Sequence, residues 1–201
     1  MKSGSKSNRR GEDSRKKILL SAMRVIDTKG IENATLESIG REAGFTKSQV
    51  LYHFPNRREL ISSLMRFVIG GMQSANIETL KNQPDGSPRV DSIIKNTFKW
   101  ARDNPEQLGT YMVYYKMCST DPDLRASFAM TTEIGVCRIF DSIDRSSKRR
   151  MSKETKMRVA RAIRHLLVGS IFDFYASNGT TSSPEFDELE IDVLFVARRL
   201  Y

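Results

Sequence analysis

The sequence predicts an all-α protein of about nine helices, and three observations carry that prediction. Apolar residues recur at helical spacing almost everywhere, and no segment alternates like a strand between turn signals. Four of the six prolines follow a residue that caps helices well: Ser87-Pro88, Asn104-Pro105, Asp121-Pro122 and Ser183-Pro184. Glycines punctuate the ends of the amphipathic stretches near the N-terminus.

Taken in order, Met1 to Asp13 is polar and basic without large apolar residues, and reads as a mobile arm. Ile18, Leu19, Ala22, Met23 and Ile26 then share one face of a first helix that Gly30 ends. Thr35 opens a short helix with Leu36, Ile39 and Ala43 inward, and Gly44 follows as a turn residue able to take positive φ. Thr46 and Gln49 fit a capping box that starts a second short helix, with Val50, Leu51 and Phe54 packing back. Asn56 and Glu59 form another capping pair, opening a helix that contains Gly70-Gly71. Further helices start near 88, 105, 122 and 184, where the residue before each proline accepts a hydrogen bond worth about 1 kcal/mol. Another starts near Ser152, after a basic linker from Arg145 to Arg150, whose Lys148-Arg149-Arg150 cluster reads as a solvated loop or else a second DNA contact. The domain division is an arm at 1–13, a DNA-binding head at 14–60 and a helical domain at 61–201.

The formal net charge is +9. Residues 1–60 hold 13 basic and seven acidic side chains, so most of the surplus sits at one end. That end suits a polyanion. The two short helices joined by a glycine turn describe a helix-turn-helix, whose second helix meets base edges in the major groove. Lys47, Ser48, Gln49, Tyr52 and His53 project from it. Gln49 has the groups to pair bidentately with adenine, and Lys47 to donate to guanine, each discriminating by about 1–3 kcal/mol. Tyr52, His53, Thr35 and Thr46 suit phosphates, which set register without reading sequence. Arg57, at a helix N-terminus, is expected beside the phosphate backbone.

The string Thr35…Ile39…Ala43-Gly44-Phe45-Thr46-Lys47-Ser48, then Tyr52-His53-Phe54-Pro55-Asn56-Arg57 and Leu60, resembles the TetR family of bacterial regulators over about residues 14–65. Family members often carry Tyr where Leu51 stands, Lys where Arg57 stands, and a small or hydroxyl residue where Gln49 stands. The resemblance implies a larger helical domain that dimerises and takes a small-molecule effector, and a repressor released from a palindromic operator by that effector. It also places Trp100, Tyr111, Tyr115 and Cys118 in helices that line the effector pocket, with 111, 115 and 118 on one helical face.

The last helix reads as an interface without the family's help. Leu189, Val193, Val196 and Leu200 follow seam spacing, with Ile191, Leu194 and Phe195 on another face. The helix before it is apolar nearly all round, and Leu167, Ile171 and Phe174 are its interface candidates. A homodimer follows, with one recognition helix per half-site. Gly70-Gly71 reads as a place for the connecting helix to bend when an effector binds, or equally as a place where it packs closely on a neighbour without switching.

Other classes find little support. There is no nucleophile–base constellation, no phosphate-binding glycine loop, and no metal-ligand spacing among two histidines and two cysteines. No cofactor, catalytic residue or metal is therefore expected. Cys118 and Cys137 read as reduced thiols, and the absence of a signal segment or membrane-length apolar run suggests a cytoplasmic protein. The rival reading is a nucleoid-type protein that binds DNA without sequence preference or ligand.

Overall fold

The computed structural model describes residues 4–146 and 150–201. Among them are nine α-helices and no strand: α1 Gly4–Lys29, α2 Leu36–Ala43, α3 Lys47–His53, α4 Arg57–Lys81, α5 Arg89–Asp103, α6 Pro105–Thr120, α7 Pro122–Ser146, α8 Lys153–Asn178 and α9 Pro184–Leu200. A 3₁₀ turn at Ile31–Asn33 joins α1 to α2. Met1 to Ser3 and the basic pair Lys148-Arg149 lie outside the described residues.

The expected arm is corrected, because α1 continues back to Gly4. A helix already nucleated by its packed segment extends at low cost through good helix formers such as Arg9, Arg10 and Glu12. The spacing of Glu12 to Lys16 and Asp13 to Lys17 favours it further. The helix starts come out close to those expected, but the caps differ. Asp121 Oδ1 accepts from the N–H groups of Asp123 and Leu124, and Ser152 caps α8 through Thr155 N–H. Ser87 instead donates to the Pro84 carbonyl, and α5 begins one residue late. The Asn104 amide donates back to Trp100 O, and the Ser183 side chain makes no capping bond.

The chain forms two compact units, one comprising the chain up to Gly70 with Glu106–Tyr115, the other Gly71–Pro105 with Lys116–Tyr201. That division falls inside the unbroken α4, ten residues beyond the boundary read from the sequence. The first half of α4 buries Leu60, Ile61, Leu64, Met65 and Val68, so its periodic apolar face continues well past the motif.

In the first unit, Ile18, Ala22 and Val25 of α1, Ile39 and Ala43 of α2, Val50 of α3 and Phe54 are buried. Arg15 ties three elements together. One guanidinium nitrogen donates to the carbonyl of His53 at 2.9 Å, another to Ser63 Oγ at 2.9 Å, and the group lies 4.3 Å from the Phe54 ring centroid. The His53 carbonyl is one of those that a helix end leaves without an internal partner. Arg15→Met, which keeps the stem and loses these bonds, is expected to cost about 1.5–3 kcal/mol in a urea unfolding curve.

In the second unit α5 packs against α7, α8 and α9. Phe98, Phe174 and Phe186 meet with ring centroids 5.0 and 5.2 Å apart. Buried Asp91 receives Arg198 on one oxygen and the Tyr201 hydroxyl, at 2.8 Å, on the other. Burial, then this hydrogen bond, pushes the Tyr201 pKa well above the usual phenol range.

Candidate nucleic-acid interface

Two reciprocal caps start the short helices. Thr35 Oγ1 accepts from Ser38 N–H while Ser38 Oγ accepts from Thr35 N–H, both at 3.0 Å. Thr46 Oγ1 accepts from Gln49 N–H at 3.2 Å, and Gln49 Oε1 accepts from Thr46 N–H at 2.8 Å. Between them Gly44 takes φ +70°, a left-handed conformation that glycine adopts without a Cβ penalty. Gly40 serves the same corner through its missing side chain. A Cβ there would lie 2.8 Å from the Phe45 carbonyl oxygen and 3.2 Å from Val50 Cγ2. Phe45 N–H donates to Gly40 O at 2.8 Å across that approach.

Lys47, Ser48, Gln49 and Tyr52 are exposed on α3, Tyr52 to 85 % of its surface. Its ring meets the half-buried His53 edge-on, with centroids 5.1 Å apart. Thr35 and Thr46 are exposed at the two helix starts. Exposed polar side chains thus stand at two helix N-termini and on the outer face of α3. Leu51 does not pack back as expected; it is 38 % exposed, while Val50 and Phe54 fill the interior.

Two residues have duties that the sequence did not disclose. The Oε1 of Gln49 is held in the cap, whereas a bidentate adenine pair needs it as an acceptor; only Nε2 is uncommitted. Arg57 is expected beside phosphate, yet its Nε donates to Ala34 O at 2.8 Å and one terminal nitrogen to Ile31 O at 2.6 Å. It holds the Ala34 carbonyl and joins the Ala34 N–H on the Ile31 carbonyl, so it ties α4 to the α1–α2 connection. Arg15 and Gly40 were missed altogether; the signal for Gly40 was a glycine four residues before the turn glycine, in a helix too short to afford one.

Burial, followed by repulsion from Arg15, holds the His53 pKa below its ordinary value of 6.5. The imidazole is therefore neutral at pH 7 in the free protein. The folded head binds this proton less readily than the unfolded chain, so His53 costs it stability as pH falls below 6.5. A phosphate beside the ring would raise the pKa, and DNA binding would then take up a proton. DNA affinity measured by anisotropy is expected to rise as pH drops from 7.5 to 5.5, and the slope to flatten in His53→Gln.

The other sequence candidates are placed as follows. Trp100, Tyr111 and Cys118 are buried, while Tyr115 is 46 % exposed. Tyr114 of α6 is buried and Tyr115 is not, although 111, 114 and 118 share a helical face no better than 111, 115 and 118 do, so helical spacing alone does not choose between them. Among the interface candidates Leu167, Ile171 and Val193 are buried within the chain, and Phe174 stacks on Phe186. Leu167, Ile171 and Val193 are therefore core within the single chain, a correction to the interface expected there, while Phe174 is only partly covered. Leu189 and Leu200 are partly covered, and Val196 is exposed. The outward apolar face of α9 is Ile191, Phe195 and Val196, with Ile191 65 % and Phe195 55 % exposed. Among the described residues no group of His, Cys, Asp or Glu is placed to hold a metal, and no helix is long and apolar enough to cross a membrane.

Residues 18–64 match the sequence model of the bacterial regulatory proteins of the tetR family. The chain is 22 % identical over 111 residues to the HTH-type transcriptional regulator BetI of Rhizobium meliloti (strain 1021), a match spanning 55 % of each, so about half of that relative's length. It is 20 % identical over 157 residues to BetI of Pseudomonas paraeruginosa (strain PA7), covering 77 % of this chain and 78 % of that one. The fold matches a transcriptional regulator from Saccharomonospora viridis, solved in complex with choline, with TM-score 0.75 at 16 % identity over 90 % of this chain and 94 % of that one.

Proposed function

Since the chain belongs to the TetR family of bacterial transcriptional regulators, we propose that it is a homodimeric repressor that leaves a roughly palindromic operator when a small effector binds. The observation that carries the reading is α3 itself. Its start is capped, its inner side is buried, and Lys47, Ser48 and Tyr52 stand exposed beside it. In this reading Lys47, Ser48 and Gln49 Nε2 meet base edges, while Tyr52, His53, Thr35 and Thr46 hold phosphates. Arg57 keeps the scaffold in place. The boundary of the DNA-binding head is set at residue 60, as the motif indicates. Such a regulator acts where the chromosome is, in the cytoplasm.

The dimer is formed by the outer face of α9, Ile191, Phe195 and Val196, with the half-buried flanks of Leu189 and Leu200 at its edge. Trp100, Tyr111 and Cys118 are the effector candidates, with Tyr115 retained for its exposed ring. Choline, bound by the S. viridis protein, is the first effector to try. A quaternary ammonium is recognised by aromatic faces, and Trp100 is the indole among the candidates. Gly70-Gly71 in α4 is the place for a bend, and a coupling of about 1–3 kcal/mol between effector and DNA suffices for release.

Fluorescence anisotropy on the protein's own upstream DNA against a scrambled duplex, at ~50 and ~200 mM salt, tests the reading. Preference for the native fragment by orders of magnitude, retained at the higher salt, supports it. Equal, salt-labile binding to both duplexes and to genomic fragments at large would favour a nucleoid-type protein instead.

A further inference from the structure

The second unit holds a cavity of about 310 Å³ that none of the roles above uses. It lies where the end of α4, the start of α5 and the later turns of α7 come together. Lys81, Arg89, Arg138 and Arg145 line it, against the single carboxylate of Asp141, with Ser142 adding a hydroxyl.

Arg89 is the most telling of these. It is only 6 % exposed, and its two terminal nitrogens donate to the carbonyls of Gln83 and Leu80, closing the end of α4. Its Nε is buried without any acceptor. No carboxylate among the described residues is paired with it, since its neighbour in sequence, Asp91, is taken by Arg198 and Tyr201. A buried guanidinium with neither a counter-ion nor a full set of acceptors is costly, and such a group persists where something else meets its charge. Arg138, half-buried on the facing helix, has no hydrogen-bond or ion-pair partner among the described residues. Burial there disfavours its charged form, lowering its pKa. Arg145 reaches Asp85 only loosely, at 3.9 Å. The C-termini of α4 and α7 each offer about half a negative charge, which offsets part of the surplus at Arg89 and Arg145. Lys81, in the last turn of α4, shares that offset, and Arg138 has only Asp141 on the same wall to set against its charge.

We propose that this cavity binds the phosphate group of a small metabolite. Arg89 Nε and the Arg138 guanidinium donate to its oxygens, and Lys81 and Arg145 supply further positive charge. Asp141 makes the wall selective. It repels a bare anion and accepts a hydroxyl or ammonium donor, so the site favours a phosphate ester that carries such a donor. The volume suits a molecule of a few carbons beyond the phosphate and excludes a nucleic-acid strand.

The test uses the full-length protein without DNA, so its result is independent of the operator reading. Glycerol phosphate is titrated into the wild type, Arg138→Gln and Lys81→Gln, with sodium chloride at matched ionic strength as the control. Affinity is read by calorimetry and stability by thermal melting. Saturable binding is expected, with the melting temperature rising about 5 °C near a hundredfold excess over Kd. Each variant should keep the wild-type circular dichroism spectrum and bind about tenfold more weakly or worse. A response no larger than that of chloride, or one equally strong in both variants, would overturn the proposal. Lys81 is exposed, so its variant keeps the test decisive even if Arg138→Gln fails to fold.

Discussion

Gly40→Ala is expected to reduce operator affinity to the non-specific level, a loss of about a thousandfold or more. In an ordinary helix position the same change stabilises by about 0.5–1 kcal/mol, because alanine has less backbone freedom to lose. At Gly40 the new methyl would stand 2.8 Å from the carbonyl oxygen of Phe45, a backbone atom that cannot rotate aside. To make room, the corner carrying Thr46 must shift, and α3 shifts with it. The overlap is expected to cost about 1–3 kcal/mol, more than the helix gains. Gly70→Ala is the matching control, since a Cβ there meets nothing within 4 Å. Urea unfolding should show Gly70→Ala about 0.5–1 kcal/mol more stable than wild type and Gly40→Ala less stable. If Gly40→Ala bound DNA normally, the close approach would have no part in holding the recognition helix.

Replacing Ile191 and Phe195 together by Asp is expected to give a folded monomer that binds its operator about 10²–10⁴-fold more weakly. Both side chains are mostly exposed in the single chain, so the charges cost the monomer little. Between two α9 helices the same charges would be buried without partners, which no dimer of modest area survives. DNA affinity then falls because the second half-site is no longer reached at high effective concentration. Sedimentation and anisotropy on the same samples separate the two effects. Val193→Asp is the informative contrast: Val193 is buried within the chain, and its variant should fail to fold. A double variant that remained dimeric would move the interface off this face of α9.

The difference between Val193 and Phe195 also shows where sequence reading stopped. Helical spacing tells which residues of α9 share a face, and both of its apolar stripes have that spacing. Which stripe turns inward is decided by Phe98 and Phe174 closing on Phe186, and those partners lie far away in sequence. Local signals fared better. The caps at Thr35, Thr46, Asn56, Asp121 and Ser152 act within four residues of themselves, and all were readable. The same locality explains the errors at Ser87 and Asn104, where an equally near carbonyl competed for the side chain. The clamp made by Arg57 was unreadable for the opposite reason. Its carbonyl partners sit 23 and 26 residues upstream, and a cation at a helix N-terminus has no local mark that separates a clamp from a phosphate contact. Arg15 is a similar case, 38 residues from the carbonyl it holds.

The division of labour within α3 bears on how such a protein changes over time. In α3 and its cap the side chains that keep the helix in place, Val50 and the Thr46–Gln49 pair, are separate from Lys47, Ser48 and Tyr52, which are exposed. Substitutions at those three exposed positions therefore cost little folding energy. With Lys47 and Ser48 reading bases as proposed, the operator sequence can drift through those two positions while the head stays folded. Position 49 is different, because a change there alters the cap along with the reading surface. A lineage that changes Gln49 should be found to have paired it with another residue at Thr46.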